Sequence, residues 1–321
     1  MPRTHPRPIV VLSRCLELDA CRYNGQMIRA PVVAQVMPHV EIRPICPEVE
    51  IGLGVPRDPI RLIQIGGTLG LVQPSTGKDV TAAMEGFSNR YLATQLDADG
   101  FILKSRSPSC GIKDTKIYGG PDGTQPSDKG PGMFGGAVLE RFPHAAVEDE
   151  GRLTNFRLRH HFLTKLFARA TFRRVRAEHT MRALVEFHAD YKLTLMAYHQ
   201  GELKRLGRIV ANPERKPIDT VLDEYEEHLA AALTRPPRYT SHLNVLQHAL
   251  GYFKDGLTAA ERRHFLDLLE EYRNERATLA TALAVLQSWI VRFDERYLAR
   301  QAYLEPYPSE LLSLRDSGRG A

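Results

Sequence analysis

Short apolar runs separated by polar turns fill the first 150 residues, and longer amphipathic stretches fill the remainder. Pro8 to Leu12 (PIVVL) reads as a strand buried on both faces, because its run of β-branched and leucine side chains has no polar alternation. Pro31 to Val40 predicts a short helix, and Glu41 to Ile45 (EIRPI) a second strand. Arg61 to Ile65 and Gly70 to Gln73 flank Gly66-Gly67 and predict a β-hairpin. Between Asp79 and Leu96, the residues Val80, Met84, Phe87, Tyr91 and Leu92 recur at helical spacing. Gly100 opens a third apolar strand, which ends at the polar stretch LKSRSPSCG, residues 103 to 111. The Gly/Pro/Asp-rich stretch from Gly119 to Gly136 reads as loop. Phe134 to Phe142 and Ala145 to Glu148 add a last helix and strand. This alternation predicts an α/β domain over residues 1–150 with a mainly parallel, Rossmann-like sheet.

From residue 151 to 321 the pattern is helical, with amphipathic segments near 155–177, 180–200, 218–233, 241–254, 259–287 and 288–301. Thr258-Ala259-Ala260-Glu261 is a capping-box pattern, and Pro213, Pro217, Pro236 and Pro237 separate other helices. An all-α C-terminal domain follows, without internal repeats. Two domains suit a chain of 321 residues. No apolar run approaches the roughly 18 to 20 residues that span a bilayer. The first apolar run, broken by Ser13 and Arg14, is too short for a signal-peptide core. A cytoplasmic protein is expected.

That compartment changes how the cysteines read. Cys15, Cys21, Cys46 and Cys110 all lie in the first third of the chain, and the remaining 211 residues have none. A reducing environment disfavours disulfides, so metal or redox use is expected. Cys15, Cys46 and Cys110 each lie just beyond a predicted strand. In open α/β sheets those strand ends converge on one crevice, so three thiols distant in sequence are expected to meet there. On the residues alone, zinc held by three thiolates and water is one candidate occupant.

Several motifs carry a resemblance. Ser13-Arg14-Cys15, Cys46-Pro47-Glu48, Gly52…Pro56-Arg57, Gly77-Lys78-Asp79-Val80-Thr81 and Ser105-Arg106-Ser107-Pro108-Ser109-Cys110-Gly111 stand in an order that resembles the thiouracil desulfidase family. Tyr191-Lys192-Leu193…Met196 and His248…Tyr252-Phe253-Lys254 resemble the helical domain fused to a subset of that family, and the two-domain arrangement looks like that of desulfidases of 4-thiouridine in tRNA, which it implies as the substrate. The resemblance implies a [4Fe-4S] cluster held by Cys15, Cys46 and Cys110, with one iron left open. It also implies Glu48 as catalytic acid/base and Ser107 as the second catalytic group, with Ser109 the less favoured serine. Ser13, Arg57, Lys104, Arg106 and Ser109 would line the substrate. Cys21 stands outside the three-cysteine pattern. It is expected to be a buried bystander, since as a fourth ligand it would close the open iron.

Charge bears on substrate size. Residues 151–216 carry 15 Lys and Arg against 5 Asp and Glu, whereas residues 1–150 carry 16 against 17. A local positive field of this kind suggests a polyanionic partner. Arg152, Arg157, Arg159, Lys165, Arg169, Arg173, Arg174, Lys204 and Arg205 are the expected RNA contacts, with tRNA as the partner. Two other readings use the same features: a desulfidase of free thiolated bases, and a non-catalytic iron–sulfur protein that binds nucleic acid or senses redox state. His160-His161 has no partner motif and is not expected to bind metal.

Overall fold

Burial on both faces decides the centre of the N-terminal unit. In the computed structural model, which describes residues 3–121, 123 and 125–312, β1 (Ile9–Ser13) is buried at every position. It lies between β2 (Glu41–Ile45) and β6 (Gly100–Leu103), both parallel to it, and β6 pairs in parallel with β9 (Ala146–Asp149). The order β2-β1-β6-β9 leaves β2 at an edge, where Pro44 removes no interior ladder bond. Helix α1 (Pro31–Val36) runs into a 3-10 turn at Met37–His39 before β2, and α2 (Pro47–Glu50) follows β2 at once.

A second, mixed sheet has the order β5-β4-β3-β7-β8. Its hairpin is β3 (Arg61–Ile65) with β4 (Thr68–Gln73), extended by β5 (Lys78–Asp79). On the other side of β3 lie β7 (Thr115–Tyr118), parallel to it, and β8 (Pro126–Gly130), antiparallel to β7. The stretch expected to be loop from Gly119 to Gly136 therefore contains a strand and the start of a helix. β8 (PSDKG) is half-buried to exposed throughout and shows no apolar alternation, so nothing in its pattern announces it. Helices α3 (Thr81–Ala93) and α4 (Met133–Arg141) complete this part. Met84, Leu92, Phe101, Leu103, Phe134 and Val138 share one core with Leu62, Leu71 and Ile117 from the second sheet.

The described residues divide into two compact units, 6–170 with 310–312, and 3–5 with 171–309. The division falls inside α5 (Phe156–Glu178). The helical unit continues with α6 (Met181–Tyr198), α7 (Gln200–Ala211), α8 (Ile218–Ala232), α9 (Tyr239–Leu250), α10 (Ala259–Arg273), α11 (Leu279–Phe293) and α12 (Arg296–Ala299). Leu193, Leu246, Phe253, Phe265, Leu286 and Trp289 form its core. The expected capping box is present, with the Thr258 and Glu261 side chains each bonding the other's backbone.

Two boundaries differ from the pattern. The span 180–200 continues past a one-residue break into α7, whose cap is His199 Nδ1 accepting from Glu202 N, an unusual capping residue. The span 259–287 is α10 and the start of α11, parted where Glu275 takes φ 59° and Thr278 caps the next helix. Among the described residues no helix is long and apolar enough to cross a membrane.

Candidate active site

Parallel strands deliver their carboxyl ends to one edge, and the cysteines follow. Cys15 lies two residues beyond β1, Cys46 directly follows β2, and Cys110 lies in the loop that leaves β6. All three line one cavity of about 330 Å³, together with Cys21, Ser13, Glu48, Arg57, Lys104, Arg106, Ser107 and Ser109. Every candidate proposed for the reaction or the base thus lines this cavity. All four cysteines are free and buried. Among the described residues, no three His, Cys, Asp or Glu side chains close on the spacing of a single metal ion.

Each loop is fixed by its own backbone. The Cys46 carbonyl accepts from Val49 N at 3.0 Å and Glu50 N at 3.1 Å, so the chain coils into α2 as soon as the thiol is placed. Pro47 at the first helical position suits that coil and sets Glu48 on the wall. Ser13 Oγ accepts from Lys104 N at 2.9 Å, joining the ends of β1 and β6.

The Cys110 loop packs on the start of α4. Its carbonyls at Gly111, Pro108 and Ser109 accept from Gly132, Met133 and Gly135 N–H at 2.7, 3.0 and 2.9 Å. These are orphan donors that any helix start must satisfy. The approach demands glycine: a Cβ on Gly135 would lie 2.1 Å from Gly111 O and 2.7 Å from Cys110 O. Gly135→Ala is therefore expected to lower stability by about 1–3 kcal/mol, measured as a lower urea midpoint. It should also speed modification of Cys110 by a thiol reagent. An unchanged midpoint and unchanged thiol reactivity would count against this packing.

The thiols are held in a medium that resists their ionisation. Burial first, then the neighbouring Cys110, Cys21 and Cys46, push Cys15 far up, while Lys104 opposes them. Cys46 is pushed up to about 12, by burial first, against the pull of Val49 N–H. Cys110 is pushed up to about 11, again by burial first, with the Ser13, Ser109 and Ser107 hydroxyls acting in the opposite sense. A cationic metal centre would reverse this by taking up the thiolates and releasing their protons.

A directed hydrogen-bond chain meets the carboxylate. Ser109 Oγ donates to Glu48 Oε1 at 2.7 Å. Its single proton is then committed, so Ser107 Oγ, 2.9 Å away, donates to Ser109 Oγ. Ser107 Oγ in turn accepts from Ser109 N at 3.3 Å and Cys110 N at 3.1 Å. Ser109, the less favoured serine of the sequence reading, touches Glu48 directly, and Ser107 reaches it through Ser109.

Arg57 holds the other carboxylate oxygen, its Nε 2.8 Å from Glu48 Oε2. Its Nη1 also donates to the carbonyls of Cys21 at 3.0 Å and Gly54 at 2.9 Å. With its side chain 4% exposed, Arg57 serves Glu48 before any substrate. Lys104 Nζ is similarly engaged by Glu150 and Ser105. Neither partnership was legible, because Glu150 lies 46 residues away and the motif around Arg57 carries no hint of its partner. Arg106 is exposed and takes φ 56°, a left-handed conformation uncommon for a non-glycine residue. Such strain is often stored at functional sites.

Cys21 sits in the same cavity, beside the others. Its carbonyl accepts from Arg57 Nη1 at 3.0 Å.

The expected RNA contacts fall into different environments. Arg157, Arg174 and Lys204 are exposed. Arg152 forms a two-pronged pair with Glu148 at 2.7 and 3.0 Å, and Arg205 pairs with Glu202 at 2.7 Å. Arg159 is buried, donating to the carbonyls of Leu153 at 2.8 Å and Thr154 at 3.1 Å. Burial, then Arg169, lowers Lys165 to about 8. Arg169 and Arg173 are half-buried. His160 and His161 are both lowered to about 4, by burial first.

Comparison with known proteins matches two separate parts of the chain. A family model described as 2-thiouracil desulfurase matches residues 10–150. A second, for a protein family of unknown function (DUF1722), matches residues 192–308. YbgA, an uncharacterized protein of Escherichia coli K12, is 30% identical over 159 residues, 49% of this chain and 93% of YbgA. YbbK, an uncharacterized protein of Bacillus subtilis 168, is 33% identical over 112 residues, 32% of this chain and 73% of YbbK. A solved structure of the [4Fe-4S]-dependent thiouracil desulfidase TudS is 28% identical, with TM-score 0.36, covering 46% of this chain and 93% of TudS.

Proposed function

From a chain that belongs to the 2-thiouracil desulfurase family and carries a DUF1722 region behind that domain, we propose an enzyme that replaces the sulfur of a thiolated uracil by oxygen. We take 4-thiouridine in tRNA as its substrate. The observation that carries this reading is the meeting of three buried thiols with Glu48 in one cavity. Cys15, Cys46 and Cys110 would hold a [4Fe-4S] cluster. Soft thiolate donors suit iron–sulfur chemistry, and a cavity of about 330 Å³ has room for several atoms. The cluster, when bound through three cysteines, supplies an open iron with affinity for the soft sulfur of a thiocarbonyl.

The chain's own groups manage the water and the protons. Glu48 accepts a proton from the water that adds to the thiolated carbon, and Arg57 fixes the carboxylate so that one oxygen faces Ser109. Ser107 holds Ser109 in its donor direction. The C–S bond then breaks, the water oxygen becomes the carbonyl, and sulfur leaves as hydrosulfide. No electrons change hands overall, so no second redox cofactor enters.

Support for tRNA comes from the basic excess in residues 151–216 and from exposed Arg157, Arg174 and Lys204. The cavity chemistry is the same for a free thiolated base, so the substrate is decided by assay. Anaerobically loaded protein is expected to release hydrosulfide from 4-thiouridine tRNA, with tRNA affinity falling steeply as salt rises. Turnover of free 4-thiouracil alone would replace the tRNA reading with the free-base one. No hydrosulfide from either substrate, with the cluster intact, would overturn the desulfidase.

A further inference from the structure

A second groove, of about 590 Å³, opens beside the reaction cavity and shares Pro59, Ile60, Arg106 and Pro108 with it. Four cations line it: Arg61 on β3, Lys116 on β7, Lys129 on β8, and Arg106 from the Cys110 loop. The sheet places three of them on one face. Lys116 and Lys129 are direct cross-strand partners in the β7–β8 pairing. Arg61 precedes Leu62, and Lys116 precedes Ile117, in the parallel pair that joins Leu62 to Ile117. The Arg61 guanidinium lies 4.9 Å from the ring centre of Tyr118, two residues along β7 from Lys116.

Like charges directly opposite one another in a sheet are destabilising. Here they are not neutralised internally: among the described residues, none of Arg61, Arg106, Lys116 and Lys129 has an ion-pair partner. Asp114 also lines the groove. Asp128 is opposite Ile117 in register, so it belongs to the other face, and its carboxylate accepts from the Lys129 backbone N–H at 2.7 Å. A row of unmatched cations over three strands and one loop, leading into a base-sized cavity, asks for a run of phosphates. The Tyr118 ring with Arg61 over it adds a surface on which a neighbouring base can stack.

We propose that this groove holds the phosphodiester strand next to the thiolated base, so that the catalytic unit itself grips the nucleic acid. The inference rests on the reading of the cavity as a thiolated-uracil site, and it names the polynucleotide as the form in which the base arrives. The groove is larger than the cavity, and its cations are spread over four chain segments. That extent suits several phosphates better than the single one of a mononucleotide.

The test uses the intact chain and the double variant K116Q/K129Q. A fluorescent single-stranded RNA without thiolated bases reports binding independently of catalysis. The double variant should bind it about tenfold more weakly at low salt, with a log–log salt slope shallower by about 1.4, the value for two phosphate contacts on a single strand. Its urea midpoint should be unchanged or higher, since a like-charge pair has been removed. On 4-thiouridine-containing RNA its KM should rise while kcat and turnover of free 4-thiouracil, which does not reach the groove, stay the same. Unchanged RNA binding and salt slope would overturn the proposal, as would a parallel fall in free-base turnover. An equal effect on 4-thiouridine monophosphate and on RNA would reduce the groove to a single-phosphate site and overturn the strand reading. If neither substrate is desulfurated but RNA binding falls as described, the desulfidase reading fails and the groove stands.

Discussion

Replacing Cys110 by alanine is expected to abolish both the visible absorption of an anaerobically loaded cluster and all hydrosulfide release. Cys110 is 5% exposed. Its loop is tied to α4 through Gly132, Met133 and Gly135, so the backbone is not free to bring another donor into place. Cys15→Ala and Cys46→Ala should behave alike, because removing one of three ligands leaves a cluster too few thiolates to be retained. Cys21→Ala is the informative contrast. Cys21 lines the same cavity, yet it stands outside the three-cysteine pattern, and its carbonyl is held by Arg57. The variant is expected to keep its visible absorption, with iron and sulfide contents near those of the unmodified protein. A colourless Cys21→Ala protein would make Cys21 a fourth ligand and leave no open iron, and the proposed chemistry would fall with it.

The parts of this site legible in the sequence were those set by strand ends. PIVVL and GFIL are short apolar runs, EIRPI is a short edge strand that ends on buried Ile45, and a parallel arrangement of β1, β2 and β6 brings their following loops to one edge whatever those loops contain. That is why Cys15, Cys46 and Cys110 could be grouped across nearly 100 residues. The Gly66-Gly67 hairpin and the Thr258 capping box were legible for the same local reason, since both φ > 0 turns and N-caps restrict residue type.

Partners were not legible. An arginine in a motif looks the same whether it meets phosphate or carboxylate, and Arg57, Arg152 and Arg205 meet Glu48, Glu148 and Glu202. The basic excess of residues 151–216 is also smaller in effect than in count. Arg176, for instance, is answered by Asp223 and Glu226, which lie outside that segment. The second sheet was only half visible. Its hairpin has an apolar pattern, but β8 is polar and edge-placed, so its existence depends on β7 rather than on its own side chains.

Glu48→Gln should leave the loaded cluster's absorption intact while lowering kcat about 10²–10⁴-fold, the usual contribution of a positioned acid/base. Glutamine has the size and one acceptor oxygen of glutamate, so Ser109 keeps its hydrogen bond and the cavity keeps its shape. What is lost is the group able to take a proton from water. KM should move little, because no direct contact of Glu48 with the base is required by this role. The Arg57 guanidinium loses its counter-charge, and both side chains are largely buried, at 4% and 12% exposure. A stability loss is therefore expected alongside, bounded by the roughly 3–5 kcal/mol of a broken buried pair. Arg57→Gln separates the two effects. It breaks the same pair but retains the carboxylate, so it should match Glu48→Gln in urea midpoint while keeping far more of kcat. Equal losses of kcat in the two variants would mean that Glu48 acts through the pair, as a scaffold. Full activity in Glu48→Gln would remove it from the proton path altogether.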